Sequence, residues 1–185
     1  MEMIREAIEV LKNGGSLLYP TDTIWGLGCD ATNELAVERV ATIKERPDEK
    51  SFIVLVDSFV MLEKYVPSFP EVVYDLIDLS DKPLTIIFEN VTGLAPNVLA
   101  ADGSVGIRLC KDPICQKLIR GIRKPIVSTS ANISGEASPK SFSDVSNKVK
   151  ERVDFIVKER LEEIRTSPSS IIKISNDSSI QIIRK

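Results

Sequence analysis

The chain has 185 residues, of which 43% are hydrophobic and 28% charged, with a formal net charge of −3, and these values predict one compact domain with enough apolar material for a core. The net charge excludes a polybasic nucleic-acid binder, so any RNA or phosphate contact must come from a local cationic cluster. There is no histidine, which excludes a Ser–His–Asp triad, a Cys–His pair and any His-ligated metal site.

Ile4, Ala7, Ile8 and Leu11 recur at helical spacing, and Gly14-Gly15 should end that helix. Residues 16–19 read as a strand that meets Pro20 and a loop. Thr32 or Asn33 is placed to cap a second helix striped by Val37, Val40, Ala41 and Lys44, which Pro47 stops. Residues 52–56 form an apolar run typical of a strand buried on both faces. Helices are predicted from Asp57-Ser58 through Tyr65 and from Pro70 to Leu79. Residues 85–88 and 105–109 read as strands. Asp112-Pro113 starts a helix with proline in its first turn, and residues 126–129 form a strand running into a polar loop. Ser143 is placed to cap a helix containing Val145 and Val149. Residues 155–157, 170–174 and 180–183 are late strands. This alternation predicts a single α/β domain over residues 1–185, built on a twisted mixed sheet flanked by helices.

Residues 1–12 mix charges among their apolar positions, so no secretion signal is expected. No apolar run approaches the ~20 residues that span a bilayer. Cys29, Cys110 and Cys115 are the only cysteines, and an odd count without a secretion signal reads as reduced thiols in the cytoplasm.

Four stretches carry residues suited to chemistry. Residues 19–28, Tyr-Pro-Thr-Asp-Thr-Ile-Trp-Gly-Leu-Gly, put hydroxyls, a carboxylate and glycines directly after a strand, where α/β proteins place ligands. A turn in which Asp22 and the threonines satisfy local amides has the same composition. Lys44, Arg46 and Lys50 bring three cations into seven residues. They suit either a solvated helix end or a clamp on a polyphosphate. Residues 128–135, Ser-Thr-Ser-Ala-Asn-Ile-Ser-Gly, would set Ser128, Ser130 and Asn132 on one side of an extended segment. They could bind a phosphate, ribose or carboxylate, or cap the next element. Arg108 interrupts an apolar strand, so it must point to solvent, meet a carboxylate or bind an anion. Arg165 precedes the hydroxyl-rich Thr166–Ser170 segment, which by itself reads as a loop.

Taken together, these segments resemble the YrdC-like family, the threonylcarbamoyl-adenylate synthases. Tyr19 to Ala31 is similar to the family's Y-P-T-[DE]-[TA]-x-[YFW]-G-[LV]-G-x-[DN]-A signature. Lys44, Arg46 and Lys50 match its K-x-R-P-x-x-K element, and Ser128 to Gly135 its S-x-S-A-N-x-S-G element. Val105-Gly106-Ile107-Arg108 falls on its [VA]-x-[VI]-R strand. The chain departs at Ser80-Asp81-Lys82-Pro83-Leu84-Thr85, where the family has W-P-G-P-[LV]-T. It departs again at Asp112-Pro113, where the family often has a histidine, and at Ser169-Ser170-Ile171, where it has S-T-I.

The resemblance implies a twisted α/β sheet around a positively charged central cavity, and a short form without the extra C-terminal domain. It implies a nucleotidyltransferase that joins L-threonine, bicarbonate and ATP into threonylcarbamoyl-AMP and pyrophosphate, with magnesium accompanying ATP and no dedicated protein metal site. A separate tRNA threonylcarbamoyl transferase would then complete threonylcarbamoyladenosine beside the anticodon. It implies catalytic roles for Lys44, Arg46 and Lys50, and contacts to threonine or its carbamate from Thr23, Arg108 and Ser130. ATP contacts would come from Lys44, Arg46, Ser128, Asn132, Arg165 and Ser169. The rival reading is a non-catalytic module in which the same cations bind double-stranded RNA or tRNA.

Overall fold

Helix α1 (Glu2–Lys12) buries Ala7 and Leu11 and ends at Gly14, whose φ of 77° lets its amide and that of Gly15 turn back onto the carbonyls of Leu11 and Val10. The computed structural model describes residues 2–46, 52–175 and 177–185. Most of the helices that follow start on side-chain caps. Asn33 accepts from the Ala36 amide at α2 (Glu34–Ile43), and Ser58 from the Met61 amide at α3 (Phe59–Tyr65). Helix α4 (Val72–Asp78) lacks a side-chain cap. Asp112 accepts from two amides at the start of α5 (Pro113–Ile122), with proline in the first turn. Ser146, not Ser143, caps α6 (Asn147–Arg152). The expected helix around Val145 is instead a single 3₁₀ turn over Phe142–Asp144, closed by reciprocal Ser141 and Asp144 hydrogen bonds, so Val145 precedes α6.

The strands are β1 (Leu17–Tyr19), β2 (Gly26–Gly28), β3 (Ile53–Val56), β4 (Leu84–Phe88), β5 (Val105–Leu109), β6 (Ile126–Ser130), β7 (Phe155–Ile156), β8 (Ser170–Ile174) and β9 (Ile180–Arg184). Among the described residues they make one sheet in the order β7-β1-β2-β6-β3-β5-β4-β8-β9. Pairs β1–β7, β3–β5 and β4–β8 are parallel and the others antiparallel. The result is the mixed, helix-flanked α/β sheet that the alternation of elements predicts.

Strand β2 lies inside the segment expected to be a loop. It has one side chain, Leu27, between two glycines, too little for a period-2 pattern. Its pairing explains the glycines: a Cβ at Gly28 would overlap the Val127 carbonyl oxygen of neighbouring β6.

Two apolar cores cover the sheet, one on each face. Val54, Val56, Ile107 and Val127 pack with buried residues of α2, α3 and α4. Leu17, Tyr19, Leu55 and Ile126 pack with Ala7 and Leu11 of α1 and with Cys115, Leu118 and Ile119 of α5. Residues in direct register share a face, so Arg108, paired with Leu55, points to the α1–α5 side. On that side the α1–α5 pair occupies one part of the sheet, and the remainder forms the floor of a cavity.

Candidate functional site

The register of the central strands assembles the floor. Ile53 pairs with both Gly106 and Ser128, Gly106 pairs with Ile87, Gly26 with Ser130 and Thr85 with Ile171. These residues line one side of a cavity of about 340 Å³, a volume in the range of small-molecule sites. Glycines at 26 and 106 keep the floor low. A Cβ at Gly106 would lie 2.9 Å from Thr85 Cγ2, and one at Gly26 3.3 Å from Ser128 Oγ.

Hydroxyls and guanidiniums ring this floor. Thr23, Thr85, Ser128, Thr129, Ser130, Ser138 and Ser169 line the cavity together with Arg46, Arg108 and Arg184, and none of its described lining residues is a carboxylate. The Thr85 and Ser169 hydroxyls hydrogen-bond at 2.8 Å while both residues are buried.

Arg108 is almost wholly buried. Its Nη2 donates to Asp22 Oδ1 at 3.0 Å and more distantly to Thr23 Oγ1 at 3.4 Å, while Nε has no partner among the described residues. Arg46 Nη1 reaches Thr129 Oγ1 at 3.5 Å, and its guanidinium stacks 4.5 Å from the Phe52 ring centroid. Burial lowers the Arg46 pKa.

Arg184 was not singled out in the sequence. It comes from exposed edge strand β9, crosses back over β8, and donates from Nε and Nη2 to the Ser169 carbonyl at 3.0 and 2.7 Å. Burial and then the nearby Arg108 charge lower its pKa. No period in the sequence marks it: Ile180 and Ile182 pair with Ile174 and Ile172 of the opposite face, and only a register shift between Ile171 and Ile172 turns Arg184 to the cavity side beside Ile171.

Of the sequence-predicted site residues, Thr23, Arg46, Arg108, Ser128, Ser130 and Ser169 meet in this cavity. Three others stand outside its lining. Lys44 is buried behind it and donates from Nζ to the backbone carbonyls of Ser130 (2.6 Å) and Asn132 (2.7 Å). Burial first, and the Arg46 charge second, push its pKa down to about 8. Asn132 sits just past β6, where the chain has left the strand and the expected alternation with Ser128 and Ser130 ends. Its Nδ2 donates to the Ile133 and Glu136 carbonyls, and its buried Oδ1 has no partner among the described residues. Arg165 holds the signature loop from outside, donating to the Asp22 carbonyl at 2.9 Å and pairing with Glu163 at 2.6 Å. Lys50 lies outside the described residues. Among the described residues no group of three or more Cys, Asp or Glu side chains could hold a metal ion, and no helix is long and apolar enough to cross a membrane.

An α/β sheet whose floor glycines open a cavity ringed by arginines and hydroxyls defines a protein built to receive an anionic small molecule. The chain belongs to the Sua5/YciO/YrdC family, whose model, described as telomere recombination, matches residues 9–185. It is 32% identical over 179 residues to the threonylcarbamoyl-AMP synthase of Vibrio vulnificus, an alignment covering 91% of each chain. The structure superimposes on that of P. abyssi Sua5 complexed with L-threonine with a TM-score of 0.84 and 31% identity, covering 92% of this chain. This chain spans about half, 50%, of that Sua5 protein. E. coli YciO shares the fold, with a TM-score of 0.85 at 23% identity, covering 100% of this chain and 89% of YciO. Family membership and these relatives make the chain a transferase of the nucleotidyltransferase type.

Proposed function

We propose that this protein is an L-threonylcarbamoyladenylate synthase, forming threonylcarbamoyl-AMP and pyrophosphate from L-threonine, bicarbonate and ATP. The observation that carries this reading is the meeting of Arg46, Arg108 and Arg184 with a hydroxyl-lined floor in one cavity. It is supported by the relatives named threonylcarbamoyl-AMP synthase and by the Sua5 relative complexed with L-threonine.

The chemistry needs no side-chain nucleophile, which agrees with a chain lacking histidine. The threonine amine takes up bicarbonate to give a carbamate and water. A carbamate oxygen then attacks the α-phosphorus of ATP, and the bond to the bridging oxygen breaks with release of pyrophosphate. The protein must hold two anions together and stabilise charge growing on the phosphate, both of which fixed cations and donors can do.

Arg108, with Thr23 beside it and Ser130 elsewhere on the same cavity lining, would hold the threonine carboxylate or the carbamate. Arg46, Ser128, Ser169 and Arg184 would hold ATP. Lys44 and Asn132 would act from behind by shaping the Ser128–Asn132 segment, and Arg165 by fixing the carbonyl of Asp22. Lys50 is proposed as a third cation of the clamp from its motif alone. Magnesium would arrive with ATP on its phosphate oxygens, because the cavity's described lining offers hydroxyls and no carboxylate. The enzyme would work in the cytoplasm and pass its product to a tRNA threonylcarbamoyl transferase.

The test is incubation with ATP, threonine and labelled bicarbonate, followed by mass spectrometry of the adenylate. Label in threonylcarbamoyl-AMP is expected. Salt-steep RNA binding with no adenylate would replace this reading with the RNA-binding one.

A further inference from the structure

The cavity shares a wall with a second one. Thr23, Thr85 and Arg108 line the first, while their chain neighbours Asp22, Leu84 and Leu109 line another of about 270 Å³. Arg108 and Asp22 meet in this wall through a single 3.0 Å contact, Nη2 to Oδ1, whereas a guanidinium and a carboxylate free to choose their geometry commonly form a two-bond fork. Arg108 therefore keeps a buried Nε donor without a protein partner among the described residues. Arg108 is part of the cavity lining, so an anionic oxygen bound there would meet a guanidinium whose donors the protein has not used up.

Asp22 is held in place without help from Arg108. Thr21 Oγ1 accepts from the Thr23 amide at 3.0 Å and donates to the Ile24 carbonyl at 2.7 Å, bracketing the bend. Arg165 grips the Asp22 carbonyl from the other side. A carboxylate anchored by its own backbone and attached to one guanidinium nitrogen sets the direction of the arginine. The other Arg108 contact, to Thr23 Oγ1 at 3.4 Å, is too long to do so alone.

We propose that Asp22 is a positioning residue that holds Arg108 by one amino group, leaving the rest of its guanidinium for an anionic oxygen of the amino-acid substrate. The proposal rests on the reading above, in which Arg108 binds threonine or its carbamate. A plain counter-ion would behave in the opposite way: removing it would leave the arginine freer to bind an anion, so affinity would hold or rise.

The test compares wild type with Asp22→Ala, Asp22→Asn and Arg108→Ala by melting temperature, by calorimetric titration with L-threonine, and by KM and kcat for adenylate formation. Asp22→Ala and Arg108→Ala are both expected to raise the threonine KM by roughly tenfold or more while the ATP KM stays within about twofold. Asp22→Asn keeps an acceptor of the same shape and is expected to recover most of the loss. If Asp22→Ala does not fold, Asp22→Ser, too short to reach Arg108, takes its place. Threonine binding that is unchanged or tighter without the carboxylate, alongside a loss in Arg108→Ala, overturns the positioning role and leaves the proposed function standing. An unchanged threonine KM in Arg108→Ala overturns the substrate assignment and this inference together.

Discussion

The ammonium of Lys44 lies 2.6 Å from the backbone carbonyl oxygen of Ser130, 86 positions later in the chain. A second bond, to the Asn132 carbonyl, turns one side chain into a clasp on the segment whose Ser128 and Ser130 side chains line the cavity. Lys44→Ala would leave two backbone carbonyls short of a donor, at about 1–3 kcal/mol each where they are buried. The expected result is a lower melting temperature with an unchanged circular dichroism spectrum at 25 °C, and loss of threonine- and bicarbonate-dependent pyrophosphate release.

The buried Lys44 ammonium also predicts a pH dependence. Its pKa in the folded protein is about 8, below the ordinary 10.5. Between these values the unfolded chain binds the proton and the folded chain does not, so stability rises with pH across that window. Relative to Lys44→Met, which cannot titrate there, wild type should gain melting temperature as pH goes from 8 to 10.5. A constant difference between the two proteins would contradict the burial argument.

Arg46 and Arg184 should separate charge from geometry. Arg46 stacks on Phe52, and its planar fork suits phosphate oxygens, which a lysine cannot match. Arg46→Lys is expected to raise the ATP KM by roughly tenfold or more, and Arg46→Ala to abolish turnover, both with a native melting profile. Arg184→Ala should raise the ATP KM by a similar factor. It should also loosen β9, because its guanidinium ties that edge strand to the Ser169 carbonyl, an effect visible as faster amide exchange over residues 180–184.

Gly28→Ala tests the sheet itself. The added methyl would overlap the Val127 carbonyl oxygen, and backbone cannot rotate aside as a side chain can. Separating β2 from β6 should cost about 3 kcal/mol or more, measured as a lower urea midpoint, and should disturb the Gly26–Ser130 pairing at the cavity floor.

Much of the fold was legible because its signals are local. Asn33, Ser58 and Asp112 cap helices where their positions before apolar stripes predict, and the continuous apolar run at residues 52–56 marks β3 as an inner strand. The β2 strand was not legible, because three residues with a single side chain carry no period. The Val145 helix was misplaced because two neighbouring serines, Ser143 and Ser146, offer equivalent caps by sequence alone.

The site divides along the same line. The sequence by itself determined which residue types were available: no histidine, cations at 44, 46 and 108, hydroxyls after two strands, and glycines at 26 and 106. Strand register, a long-range property, decided which of them meet. It turned Arg108, Ser128 and Ser130 onto one face and brought Arg184 back from the final strand, while Lys44 came to lie behind the wall it had been expected to form. Residue type is a property of each position alone, but convergence depends on strand pairings as distant as Gly26 with Ser130, 104 positions apart, and only the folded sheet supplies those.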